Sequence, residues 1–159
     1  MSLNSTQLAA LQAACEAALP SDQVQDVPME LTVPQWADES EWGLHAPGNN
    51  PFGIKATPGE PYTRLLTSES PTSSVKDVEQ NFEAFPNLEA AFARHAELIT
   101  AGTYFKAAFA QYQQDRDIPA LIRNIAPHYA RAANYADIIL QIGRMPQVVA
   151  AIQQARGNS

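Results

Sequence analysis

The stretch that most limits what this chain can fold into is residues 32–55, TVPQWADESEWGLHAPGNNPFGIK. It asks for one short helix, a hard stop and a turn-dense loop in quick succession. Thr32 and Gln35 have capping-box spacing, in which a hydroxyl and an amide satisfy orphan N–H groups of a first turn. Pro34 then falls in that first turn, where its missing N–H is harmless. Val33, Trp36, Ala37 and Ser40 recur at helical spacing, so one face is apolar or small. Gly43 is a natural C-terminal stop. Pro47, Gly48, Asn49, Asn50 and Pro51 make residues 45–52 a loop.

At about 100° per residue, Glu39 lies on the border of the apolar face beside Trp36, and Glu41 lies on the opposite border. The two carboxylates therefore do not enter one cleft. A Glu held against apolar side chains loses hydration, which raises its pKa and keeps a proton available near neutral pH. That is the property of a general acid. An amphipathic helix with solvated acids would carry the same letters, so the rest of the chain has to decide between them.

E-S-x-W-G at residues 39–43, followed by N-N-x-F-G-I-K at 49–55, resembles the glucosaminidase family of peptidoglycan hydrolases. That family includes autolysins, flagellar wall-cutting domains and phage lysins. Four further segments resemble it in order: VPMELTVPQWADES before the first motif, then RLLTSES, NFEAFPNLEAAFARHAELI and HYARAANYADIILQI. The resemblance spans residues 26–142. The chain departs from the family pattern at Glu41, where Gly is usual, and at Asp38, where Leu is usual. Arg131 and Ala132 stand where the family has Thr-Asp.

The resemblance implies a mainly α (α+β), lysozyme-like helical domain with a small β-hairpin flanking the active-site cleft. Residues 1–159 are expected to form this one catalytic domain. Hydrolysis of a β-1,4 glycosidic bond needs an acid for the leaving oxygen and negative charge near the developing oxocarbenium ion. The family pattern assigns the first to Glu39 and the second carboxylate to Glu69 on the hairpin. Tyr129 matches the cleft tyrosine that bonds the sugar or the attacking water. Asn50, Phe52 and Lys55 fall on cleft-floor positions. Tyr135 is a second matching tyrosine, and Tyr62, near the hairpin base, is a candidate for stacking on a sugar. Asn50 also fits a turn residue that bonds its own backbone. The departures leave room for a catalytically weak module that binds wall glycan or serves in a phage or secretion particle.

The net charge of −7, with 10 basic against 17 acidic residues, argues against nucleic acid, whose phosphates need clustered Lys and Arg. No zinc-ligand spacing links His45, His95 and His128, so no metal and no cofactor are expected. Nothing approaches the length of a transmembrane span. The N-terminus lacks the basic region of a signal peptide and reads as an amphipathic helix, so action on the wall calls for a holin, a secretion machine or a larger parent protein. The expected partner is the peptidoglycan glycan strand, met by a monomer. Cys15 shares an apolar face with Leu8, Leu11 and Leu19 and reads as a buried small hydrophobe. His95, in line with Phe92 and Ile99, reads as core.

Elsewhere the spacing predicts helices over 4–19 with Pro20 as the stop, from residue 87, over 104–112, from Asp117 until Pro127 interrupts, over 134–142 and from Pro146 to Gly157. Strands are predicted over 62–69 and 75–82.

Overall fold

The computed structural model describes residues 2–67 and 78–157. Among them are seven α-helices and a two-stranded hairpin. Helix α1 (Ser5–Gln25) opens on a capping box: the Gln7 N–H donates to Asn4 Oδ1 (2.8 Å) and the Asn4 N–H to Gln7 Oε1 (3.0 Å). It does not stop at Pro20. It runs on to Asp26, whose left-handed φ of 62° turns the chain, and whose carboxylate takes both arms of Arg116 (2.6 and 2.8 Å). Buried Ser21 lies in that extra turn, and its carbonyl accepts from the Asp26 and Val27 N–H groups.

Helix α2 (Met29–Ser40) also begins earlier than its sequence suggests. The Thr32–Gln35 capping box is not formed. Thr32 Oγ1 is buried without a hydrogen-bond partner, and the Gln35 amide oxygen is taken by His95. Asp22 caps the helix instead, accepting from the Met29 N–H (2.9 Å). Pro34 is thus interior. Its cost of about 3 kcal/mol is outweighed by Met29, Leu31 and Val33, all fully buried upstream of it and worth about 2 kcal/mol each.

Nine of the twelve α2 residues are buried. Met29, Val33, Trp36 and Ala37 enter a first core with α1, Phe92 and the last helix; Leu31 enters a second with Ile99, Phe109, Leu121, Ile125 and Ile139. A helix apolar on nearly every side sits between layers. The three α2 residues that are not buried are Glu30, Asp38 and Glu39. Glu30 closes an ion cluster with Arg156 and Asp22, which ties α7 (Pro146–Gly157) to the start of α2.

The helix ends at Glu41 (φ 50°), Trp42 (φ 59°) and Gly43 (φ 87°). Ser40 Oγ links the end together, donating to the Trp36 carbonyl and accepting from the Gly43 N–H. Trp42 stands edge-on to Trp36, with centroids 6.1 Å apart. The family's usual Gly at the position of Glu41 is explained by this left-handed backbone.

After a 3₁₀ turn (Pro47–Asn49), β1 (Tyr62–Thr67) pairs antiparallel with β2 (Val78–Glu83), with Tyr62 opposite Glu83 and Thr67 opposite Val78. The remaining residues of the expected strands, 68–69 and 75–77, lie outside the described residues. The remaining helices are α3 (Leu88–Ala101), α4 (Lys106–Asp115), α5 (Ile118–Tyr129) and α6 (Tyr135–Gly143). Pro127 does not interrupt α5: the helix continues to Tyr129, and the Ala130 N–H closes it on the Ala126 carbonyl. Cys15 is buried, and burial pushes its thiol up to about 12. Among the described residues no helix is long and apolar enough to cross a membrane.

Candidate active site

Glu39 leaves α2 where the second core stops short, and it opens into a cleft of about 530 Å³. Asp38, Phe52, His95, Phe105, Tyr129 and Tyr135 stand around it. Four elements meet here: α2, the 44–61 loop, α3 with the turn after it, and the α5–α6 junction. The two residues by which α5 continues past Pro127 are what deliver Tyr129.

The Tyr135 hydroxyl donates to Glu39 Oε1 at 3.4 Å, and the Tyr129 hydroxyl bonds the same carboxyl. The two phenol rings stack, with centroids 5.5 Å apart at 18°. Burial pushes the Glu39 carboxyl up from 4.5 to about 7. The two hydroxyls oppose the rise by favouring the charged form, and the neighbouring Asp38 carboxylate adds to it. Burial, and then the Glu39 charge, hold both phenols far above the usual tyrosine range, so they remain donors. Asp38 is itself raised by burial.

The floor is aromatic. Phe52 lies flat on His95 (4.1 Å, 5°) and edge-on to Phe92. His95 is fully buried, and burial holds its imidazole down at about 3, so the ring is neutral. Its Nε2–H donates to Gln35 Oε1 (2.8 Å), which fixes the tautomer, and its edge meets Tyr129 at 5.6 Å. His95 is therefore both core and cleft wall, a double placement that the 3.6-residue period could not reveal.

Of the residues singled out in the sequence, Glu39, Phe52, Tyr129 and Tyr135 come together. Asn50 does not line this cleft. It is buried, and its amide nitrogen donates to the Ile54 and Glu83 carbonyls (2.8 and 2.9 Å) while its oxygen accepts from the Ile54 N–H. It staples the loop to β2, reaching well beyond its own turn. Tyr62 is exposed on β1, outside the cleft wall. Glu69 lies outside the described residues. Arg131 and Ala132, which replace the family's Thr-Asp, line the cleft, as do Leu98 and His128. Sequence reasoning took Asp38 for a departure only and missed Phe105 and His128, whose placement depends on contacts between distant segments. Among the described residues no group of three His, Cys, Asp or Glu side chains could hold a metal.

A carboxyl protonated near neutral pH, held by two phenols in an aromatic cleft, is the equipment of acid-catalysed bond cleavage. Over residues 15–146 the chain matches the glucosaminidase family model, described as mannosyl-glycoprotein endo-beta-N-acetylglucosaminidase. The chain belongs to the glucosaminidase family. It is a glycoside hydrolase. Its fold is similar to the catalytic domain of the autolysin Auto from Listeria monocytogenes, at 18% identity over 98% of this chain and 89% of that one (TM-score 0.76). A peptidoglycan hydrolase from Sphingomonas sp. A1 is similar at 23% identity, covering 93% and 94% of the two chains (TM-score 0.72). The glycoside hydrolase domain of FlgJ from Salmonella typhimurium follows at 24%, covering 98% and 99% (TM-score 0.65). No curated protein sequence matches.

Proposed function

We propose that this glucosaminidase-family chain cleaves the β-1,4 bond of peptidoglycan glycan strands, with Glu39 as the general acid. The observation that carries the reading is the Glu39 carboxyl on the cleft wall, with burial holding its proton up to about pH 7. Glycoside cleavage needs such a proton on the leaving oxygen. The similar folds of an autolysin and a peptidoglycan hydrolase support the cell wall as the place of action.

In this reading Glu39 protonates the glycosidic oxygen as the bond to the anomeric carbon breaks. Tyr129 and Tyr135 orient the carboxyl and then bond it once it is charged. Glu69 activates the attacking water or stabilises the developing oxocarbenium charge. The 2-acetamido group of GlcNAc is an alternative internal nucleophile, and it needs only the one protein acid. Phe52 and the tyrosines form the apolar surface for the sugar, while Asn50 acts at one remove by holding the loop that carries Phe52.

Purified protein and its Glu39→Gln variant are incubated with purified peptidoglycan, and the released muropeptides are reduced with borohydride and read by mass spectrometry. Reduced GlcNAc ends from the unaltered protein alone are the expected result; reduced MurNAc ends would make it a muramidase. Equal release by the variant would refute Glu39 as the acid. No release, with both proteins still pulled down by the wall, would replace hydrolysis with glycan binding.

A further inference from the structure

Tyr104 serves no core. It sits in the turn between α3 and α4 and is 69% exposed, the most of any Phe, Trp or Tyr among the described residues. The turn does not depend on it. The Phe105 and Lys106 N–H groups both donate to the Gly102 carbonyl (3.0 Å each). A Cβ at Gly102 would lie 2.3 Å from the Leu98 carbonyl oxygen, so the backbone is tightly seated there. The next residue, Phe105, turns inward onto Tyr129 and lines the cleft.

Yet the Tyr104 ring is not loose. It lies nearly parallel to the His128 imidazole, 5.3 Å between centroids and 13° between planes. His128 in turn lines the cleft. One face of the phenol is thus backed, and its high exposure leaves the rest of the ring in solvent. An aromatic ring presented this way loses little conformational freedom when something lies on it. A pyranose suits such a ring: its C–H face is apolar, its hydroxyls point outward at the rim, and Tyr offers a flat apolar body with a polar tip. The platform also continues a wall, formed by Leu98, Phe105 and His128, that already belongs to the cleft holding Glu39.

We propose that Tyr104, backed by His128, is a saccharide-stacking subsite at the rim of the cleft, which takes a pyranose ring of the glycan strand away from the bond being cut. The proposal rests on the glycan-cleaving reading above. It makes the protein prefer glycans long enough to occupy the cleft at Glu39 and the platform together.

Binding is measured by calorimetry in the Glu39→Gln background, with soluble glycan strands freed of peptide by an amidase, and with the disaccharide. Adding Tyr104→Ala is expected to weaken long-strand binding roughly three- to tenfold, the worth of one aromatic contact. Disaccharide binding is expected to stay the same, and Tyr104→Phe to bind strands normally, because the ring and not the hydroxyl makes the contact. In the catalytically intact protein, Tyr104→Ala should raise KM on strands by the same factor while kcat holds. His128→Ala, which removes the backing, should reproduce part of the loss. Unchanged strand affinity in Tyr104→Ala would overturn the subsite and leave the hydrolytic reading standing. A loss shared equally by strand and disaccharide would also overturn it. If the Glu39→Gln protein binds no strand at all, the subsite falls, and the hydrolytic reading is decided by the muropeptides that the unaltered protein releases.

Discussion

Replacing Glu39 by Gln should make the protein more stable, and only above mildly acidic pH. The carboxyl titrates at about 7 in the folded protein against 4.5 when free of it. Below about pH 4.5 both states are protonated, so burial costs nothing. Between 4.5 and 7 the unfolded chain ionises while the folded one keeps its proton, and stability falls as pH rises. Above 7 both are ionised and the folded state carries the whole penalty. At about 1.4 kcal/mol per tenfold change in proton affinity, that penalty is on the order of 3 kcal/mol. Gln has nearly the same shape and cannot ionise, so it escapes the penalty. What the two tyrosine hydroxyls return to the charged form is already contained in that shift, so the net gain is about 3 kcal/mol. For a chain of this size the gain raises Tm by roughly 6–12 °C. The assay is a calorimetric Tm for both proteins across pH 4 to 8. The difference should be close to zero at the acid end and should open between pH 4.5 and 7. A constant difference, or one that closes with rising pH, would show that Glu39 is not burdened by burial, and the argument for it as a proton donor would lose its basis.

Other outcomes follow from the same geometry. Asp38→Asn removes a negative charge that raises Glu39, so the alkaline limb of the kcat/KM–pH profile should move to lower pH; a shift upward would contradict the assignment. Asn50→Ala strips the amide that accepts and donates between the Ile54 and Glu83 backbones, and urea unfolding should show a loss of about 2–3 kcal/mol. Glu41→Gly relieves a left-handed backbone at a cost only of an exposed contact with His45, and chemical denaturation should register a gain of about 1 kcal/mol.

How much of this was legible in the sequence divides along the range of the interactions. The body of the Glu39 helix, its stop at Trp42-Gly43 and its border of apolar neighbours are local patterns, and they appear in the structure where the letters put them, while its start lies upstream at Met29. The prolines were misleading. Pro20, Pro34 and Pro127 all read as boundaries, and all three lie inside helices. A proline removes one hydrogen bond locally, but the turns it should have ended are held by partners far along the chain: Arg116 on Asp26, Arg156 on Asp22 and Glu30, and His95 and Tyr135 around Tyr129. Asn50 is the same lesson in a side chain. An Asn in a turn bonds nearby backbone or faces a ligand, and no local signal announces a partner on the opposite hairpin strand. The family motifs identified the fold because they sample several such distant segments at once.

Helix α2 belongs to two cores, and this governs how the cleft can move. To shift Glu39 relative to its backbone would disturb packing on both sides of the helix together, so the acid is among the least adjustable points in the molecule. Its amide protons should be among the last to exchange with solvent. Any accommodation of a bulky, irregular strand must then come from the facing 44–61 loop, in which only Asn50, Pro51, Phe52 and Ile54 are buried. The chemistry is held still, and the grip around it is left to give.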